Sequence, residues 1–293
     1  MAGLDLGGAT AVVTGGSRGI GPHIAAALTE RGARVALVAR SHTELEATAR
    51  NLGSRGGRVL PITADVTSAQ DRRAVIESVE RELGPVDVLI NNAGGDPQRE
   101  FHKLTEHEIE GVLDLNLTSA LILSRLVLPG MLARQRGHIV NVSSMAGRTS
   151  FPYTEAYAAA KDGLIGFTRV LRGDYRRRGV SGSTLILGPV RDAGVGARTA
   201  EEVGVKVPRA ISVSPEQVGK ATVRAIVKDK AELALLPGPG RTLRAVMDRF
   251  PGIGPAMNRM GGADTTMLAV AEYREHEARL AEAERTAQQR AER

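Results

Sequence analysis

Tyr157 and Lys161 stand four residues apart in a helix-forming stretch, so they share one helix face. An ammonium beside a phenol favours the phenolate and lowers the tyrosine pKa from about 10. That would bring a general acid/base closer to neutral pH. Ser144 ends an apolar segment 13 positions before Tyr157 and could hydrogen-bond the same substrate oxygen. Its neighbour Ser143 reads as a polar strand end. A tyrosine and lysine at this spacing, taken alone, more often mark an ordinary amphipathic helix. A second cluster is Thr14-Gly15-Gly16-Ser17-Arg18-Gly19-Ile20-Gly21. Its glycines permit a tight turn and close approach of the backbone to a pyrophosphate. A helix opening near Gly21, with Pro22 in its first turn, would point free N–H groups and its positive dipole end at the phosphates.

These residues need a scaffold. Short apolar segments recur at residues 9–14 (ATAVVT), 33–39, 58–63, 86–91 (VDVLIN), 138–143 (HIVNVS) and 184–188, with 232–236 as a seventh. Near-continuous Val, Ile and Leu runs indicate strands buried on both faces of a parallel sheet. Helix-compatible stretches at 21–31, 68–83 and 153–177 lie between them. The alternation predicts an α/β fold, a Rossmann-type doubly wound parallel sheet of about seven strands with a helical C-terminal extension. Ligands then bind beyond the carboxyl ends of the strands. Residues 1–262 are expected to form a single domain and 263–293 a polar helical tail.

The spacing TGGSRGIG at 14–21 resembles the short-chain dehydrogenase/reductase family. The resemblance extends through Asn91-Asn92-Ala93-Gly94, Asn116 in DLNLTSA, Ser144 in IVNVSSMAG, and Tyr157-Ala-Ala-Ala-Lys161, over about residues 6–236. It implies a catalytic group of Asn116, Ser144, Tyr157 and Lys161. Tyr157 would exchange a proton with the substrate oxygen, and Ser144 would polarise that oxygen. Lys161 would bind the nicotinamide ribose and depress the Tyr157 pKa, while Asn116 would hold a relay water. The cofactor contacts implied are Gly15, Ser17, Arg18, Gly19, Ile20, Gly21, Asp65, Val66, Asn92, Ala93, Gly94, Tyr157, Lys161, Gly188, Pro189 and Val190. A Rossmann-type methyltransferase would not explain these motifs together.

Cofactor choice follows from charge. NAD enzymes place an acid after the second strand to bind the adenosine ribose. Here that place reads Val38-Ala39-Arg40-Ser41. Arg40 and Ser41, with Arg18, suit a 2′-phosphate, so NADP(H) is expected. The function expected is carbonyl–alcohol interconversion by hydride transfer; the alternative is a non-catalytic NADP-binding sensor or scaffold. Two positions depart from the family pattern: Leu187 stands for proline and Asp192 for threonine, with Gly188 kept. Asp192 could accept a hydrogen bond from the nicotinamide carboxamide. Gly182 would weaken its strand. Residues 191–212 are expected to form a lid. Met145, Tyr153 and Pro189 suggest an apolar pocket for a small carbonyl or alcohol.

Composition narrows the remaining classes. The chain has 293 residues, 42% hydrophobic and 25% charged, with a formal net charge of +6, as in an ordinary globular protein. Cys is 0, which excludes disulfides, thiolate zinc sites and cysteine nucleophiles, and no metal site is expected. Aromatics are 3% and arginines are scattered, which disfavours nucleic-acid binding. The stretch 117–132 is interrupted by Arg125 and Pro129, so no transmembrane helix is expected. No basic region precedes an apolar core at the N-terminus, so a cytoplasmic location is expected by default. Residues 241–260, rich in Pro, Gly and Arg, could touch a membrane surface, but packing on the protein is favoured. The stretch 264–293 has a thin apolar stripe and reads as a solvated helix, helped by Glu275 four residues before Arg279. A homo-oligomer, dimer or tetramer, is expected from the resemblance.

Overall fold

The computed structural model describes residues 3–149, 151–194, 203–204, 209, 212–236 and 263–291. Seven parallel strands form one sheet in the order β3-β2-β1-β4-β5-β6-β7. They are β1 (Thr10–Thr14), β2 (Arg34–Ala39), β3 (Arg58–Thr63), β4 (Val86–Asn91), β5 (Gly137–Ser144), β6 (Val180–Leu187) and β7 (Glu232–Leu235). The helices are α1 (Gly21–Thr29), α2 (His42–Gly53), α3 (Ala69–Leu83), α4 (Glu106–Leu113), α5 (Ser119–Ala133), α6 (Glu155–Tyr175), α7 (Pro215–Val227) and α8 (Ala263–Ala291).

The apolar runs are strands because both faces are covered. Ala11, Val13, Val35, Leu37, Val88 and Ile90 pack toward α1, α2 and α7, meeting Ile24, Leu45 and Val218. The alternate residues Val12, Ala36, Val38 and Leu89 pack toward α3, α5 and α6, meeting Val79, Leu123 and Leu171. The chain reverses its direction of travel across the sheet between β1 and β4. That switch opens a crevice at the carboxyl ends of the strands.

Two expectations are corrected. β6 begins at Val180, not 184. Gly182 is at home in it, because a Cβ there would lie 3.1 Å from Leu171 Cδ2 and 3.3 Å from Thr168 Cγ2 on α6. Second, α8 is not solvated throughout: Met267, Val270 and Ala271 are buried, at spacings of three and one that put them on one side of its first half. The Glu275–Arg279 pair does form, at 3.1 Å. By length and composition alone, the run Glu106–Ala133 could cross a membrane. Yet Leu123, Val127 and Met131 pack on the sheet and Asn116, Ser119 and Ser124 are buried beside them, as in the core helix of a globular fold. The segment 241–260 and most of the expected lid lie outside the described residues.

The opposite ends of β6 and β7 carry a buried ionic group. Asp229 Oδ1 accepts from Arg172 Nη1 and from Ser181 Oγ, both at 2.6 Å, and Oδ2 accepts from Arg176 Nε at 2.7 Å. Burial alone would raise the Asp229 pKa, but these hydrogen bonds outweigh it and bring it down to about 2. A carboxyl with a depressed folded-state pKa stabilises the protein above its unfolded pKa, and that contribution fades as pH falls toward 2. Asp229→Asn should therefore lower the unfolding free energy at pH 7 by about 2 kcal/mol or more. The difference between the two proteins should shrink between pH 4 and 2 in urea unfolding; a constant gap would contradict this account.

Candidate active site

The glycine turn joins β1 to α1 as expected. Ile20 caps α1, and Pro22 occupies its first turn, where a missing N–H costs nothing. A Cβ on Gly21 would come within 2.1 Å of the Gly15 carbonyl oxygen, so the turn closes on itself without room for a side chain. The backbone there is free to approach a ligand, and the N-terminal N–H groups of α1 face the same space.

The end of β4 braces this turn. Thr14 Oγ1 accepts from Asn92 N at 2.9 Å and Ala93 N at 3.0 Å. Asn92 Nδ2 donates to the carbonyls of Thr14 at 2.8 Å and Gly15 at 3.2 Å. Asn92 thus supports the turn through its side chain. Asn91 points into the core, where its amide donates to Asn141 Oδ1 at 2.8 Å. Thr14 belongs to the expected turn, but its bracing of β4 lies outside the sequence expectation; its place as the last residue of an apolar strand is the signal.

Gly94 follows, and a Cβ on it would lie 2.7 Å from Asn116 Oδ1 and 3.2 Å from Lys161 Nζ. Asn116 Nδ2 donates to the carbonyls of Gly95 at 2.7 Å and Val112 at 2.9 Å, while Gly95 N donates to Asn116 Oδ1 at 3.2 Å. Asn116 sits in a widened π-helical turn, Asp114–Thr118, between α4 and α5. Such turns often mark functional positions.

Ser144 ends β5, and its hydroxyl hydrogen-bonds Tyr157 and accepts from Ala146 N at 3.2 Å. Lys161, buried on α6, donates to the Val142 carbonyl at 3.0 Å and lies 5.3 Å from the Tyr157 ring centroid. Ser143 Oγ donates to the Lys161 carbonyl at 2.8 Å, which ties β5 to α6. That matches its reading as a structural hydroxyl. The four residues Asn116, Ser144, Tyr157 and Lys161 therefore converge from α4–α5, β5 and α6.

Their protonation departs from expectation. Burial raises the Tyr157 pKa, the nearby Asp96 charge raises it further, and the Ser144 hydrogen bond offsets only part. Burial lowers that of Lys161 to about 8 against an opposing contribution from Asp96. The ammonium neighbour is expected to favour the phenolate and lower the Tyr157 pKa; desolvation of the hydroxyl works the other way and dominates. Desolvation thus holds the Tyr157 hydroxyl above its ordinary value.

On the other side of the crevice, Arg40 Nη1 lies 3.9 Å from Asp65 Oδ2 and the Arg40 side chain is 70% exposed. Asp65 Oδ1 accepts from Thr67 N at 2.9 Å and Thr67 Oγ1 at 2.7 Å. Although burial opposes it, these bonds and the Arg40 and Arg72 charges hold the Asp65 carboxyl below its ordinary value. Val66 is buried beside it. Ser41 caps α2, and Arg18 is exposed in the glycine turn. Ser17 Oγ donates to Glu44 Oε2 at 3.3 Å.

Beyond β6, Gly188 N donates to the Leu235 carbonyl at 3.1 Å, and Val190 bridges Val213, with Val213 N donating to the Pro189 carbonyl at 2.9 Å. Leu187 is simply the last core residue of β6. Asp192 has φ 60° and a side chain 81% exposed, so it is turned toward solvent rather than lodged in the crevice. Among the described residues, no group of three or more His, Asp or Glu could hold a metal.

A family model described as short chain dehydrogenase matches residues 9–203. The chain belongs to the short-chain dehydrogenase family. A ketoacyl reductase, HetN, of a Nostoc species is 35% identical over 235 residues, 80% of each chain. The 3-oxoacyl-[acyl-carrier-protein] reductase FabG of Vibrio cholerae is 39% identical over 186 residues, 63% of this chain and 75% of that one. A solved structure of a variant of the actinorhodin polyketide ketoreductase with NADPH has 30% identity and a TM-score of 0.74, covering 82% of this chain and 99% of that one.

One residue of this short-chain dehydrogenase site escaped sequence reading. Asp96 follows Gly94-Gly95 and accepts from Gln98 N at 3.3 Å. Burial raises its pKa to about 7; the Gln98 hydrogen bond opposes this, Glu155 adds to it, and Arg274 and Lys161 oppose it. A carboxyl whose folded pKa lies above its unfolded value costs stability once pH exceeds the unfolded pKa, and the full cost is reached above the folded one. Asp96→Asn should raise the unfolding free energy at pH 8 by more than about 1 kcal/mol and change it little at pH 4. Thermal unfolding at both pH values tests this, and equal gains at the two would refute it.

Proposed function

We propose that this short-chain dehydrogenase uses NADP(H) to interconvert a carbonyl and an alcohol, and that its carbonyl substrates are 3-oxoacyl thioesters. The observation that carries the reading is the convergence of Ser144, Tyr157, Lys161 and Asn116 beside a glycine turn that leaves open backbone at a helix N-terminus. The substrate class rests on the names of HetN and FabG. In this reading residues 1–262 are one catalytic domain and 263–293 its C-terminal extension.

The residues present fit the dinucleotide. The turn at Gly15, Gly19, Ile20 and Gly21 would take the pyrophosphate on backbone N–H groups and the α1 dipole. Arg40, with Ser41 and Arg18, would meet a 2′-phosphate; its guanidinium is exposed and only loosely engaged by Asp65 at 3.9 Å. Asp65 and Val66 would border the adenine, and Ala93, Gly94, Gly188, Pro189 and Val190 would line the nicotinamide end. The nicotinamide supplies the hydride when bound.

The chain's own residues do the rest. Tyr157 keeps its proton at neutral pH and would give it to the substrate oxygen as the carbonyl is reduced. Ser144 would hold that oxygen beside the phenol. Lys161, buried and anchored on Val142, would stabilise the phenolate left behind. Asn116 holds the Gly95 backbone in place next to Lys161 and would position a relay water.

Oxidation of NADPH should follow addition of a 3-oxoacyl thioester, and Tyr157→Phe should lower kcat about 100-fold or more. Undiminished turnover in Tyr157→Phe would refute the assigned acid. Saturable NADPH binding with no turnover on any carbonyl would instead favour a cofactor-binding sensor. Arg40→Glu should weaken NADPH binding about tenfold or more and leave NADH binding nearly unchanged in equilibrium titrations. Equal losses for both cofactors would assign Arg40 a structural part only.

A further inference from the structure

The segment 94–104 leaves β4, passes Asn116, Lys161 and Tyr157, and ends where α4 begins. Arg99, in the middle of it, has a side chain only 11% exposed. Its guanidinium reaches three ways. Nη1 pairs with Glu108 Oε1 on α4, Nη2 donates to the Lys103 carbonyl at 3.2 Å, and Nε donates to Glu275 Oε2 on α8 at 2.8 Å. Glu275 is 16% exposed and accepts a second bond, from Arg279. Glu108 is itself fixed by the capping box with Thr105 at the start of α4. The planar fork of arginine can serve all three directions from one position, which an ammonium cannot.

The same helix also reaches the site through charge. Arg274, next to Glu275, acts electrostatically on Asp96, and Asp96 acts on Tyr157 and Lys161. The first half of α8 is thereby joined to the substrate side of the crevice, through a pair of residues 176 positions apart in the chain.

We propose that Arg99 is a positioning residue that locks the 94–104 segment to α4 and to the C-terminal helix, making α8 a built-in brace of the substrate site. The proposal rests on the oxidoreductase reading for its kinetic consequence, though not for its structural one. Neutralising Glu275 removes one of the two carboxylates that hold the enclosed Arg99 guanidinium and leaves Glu108 alone to match it, so the segment should loosen in Glu275→Gln. The cofactor turn and the Ser144–Tyr157 pair stand on other elements and should not respond.

The test compares the full chain with Glu275→Gln, Glu275→Asp and Arg99→Lys. In Glu275→Gln, hydrogen exchange should speed up in residues 94–104 but not in β1, β4 or β5. KM for a 3-oxoacyl thioester should rise about fivefold or more, while kcat and the Kd for NADPH stay within about twofold. Glu275→Asp, which keeps the charge, should recover part of the KM. Unchanged exchange in 94–104 overturns the proposal, and so does faster exchange with unchanged KM. If Glu275→Gln does not fold, Arg99→Lys, which keeps the charge and loses the fork, is read by the same criteria. A wild-type chain that turns over no thioester refutes the functional reading alone; the exchange comparison then decides whether the brace exists.

Discussion

A parallel strand that runs out at its carboxyl end leaves backbone groups that no neighbouring strand can satisfy, and in a covered sheet water does not reach all of them. Four side chains answer that demand here. Thr14 takes the N–H groups of Asn92 and Ala93, Asn92 takes the carbonyls of Thr14 and Gly15, Asn116 takes both backbone groups of Gly95, and Lys161 takes the carbonyl of Val142. The groups with chemical potential are thus also the ones that finish the sheet. Lys161 is held in an orientation beside Tyr157 because its ammonium has a structural bond to make, and Gly94 must lack a side chain because Asn116 and Lys161 crowd the space a Cβ would fill.

The cost of assembling such a site shows in its protonation. Desolvation of buried Lys161 and of half-buried Tyr157 and Asp96 raises the tyrosine and the aspartate and lowers the lysine. Every one of these shifts favours the neutral form, as desolvation requires. The contrast is Asp229 at the opposite end of the sheet, where burial is outweighed by two arginines and a serine and the carboxyl is held charged. One end of the sheet is built for permanence and the other keeps protons available.

Most of the fold is legible in the sequence because its signal is local. Strands buried on both faces read as apolar runs, and β1 to β5 fall within a residue of their expected bounds. β6 reads four residues short because Val180-Ser-Gly-Ser carries small and polar residues. Their burial depends on partners distant in sequence: Arg172 and Asp229 for Ser181, His138 and the Lys230 carbonyl for Ser183. The motif residues of the site are legible through spacing, and the structure brings Asn116, Ser144, Tyr157 and Lys161 together. The balance of charge around them is not. The Tyr157 shift depends on how much water the fold removes and on Asp96, neither of which a tyrosine–lysine spacing encodes. The buried half of α8 escapes for a similar reason: Met267, Val270 and Ala271 make a short stripe whose partner surface is supplied by the rest of the fold.

The widened turn at Asp114–Thr118 has a consequence of its own. It accommodates one residue more than a regular helix would over the same rise, and each residue of an α-helix advances the side-chain direction by about 100°. The turn therefore acts as a phase shifter. α4 and α5 are nearly one rod, yet their inward faces are indexed differently, and Asn116 occupies the notch between the two settings. A single-residue deletion there would restore an unbroken helix with all its backbone bonds. It would also rotate one half against the other, so that either Leu123, Val127 and Met131 leave the sheet or Val112 and the Gly95 contact are lost. The imperfection in the helix is what lets one continuous rod serve the core at one end and the crevice at the other.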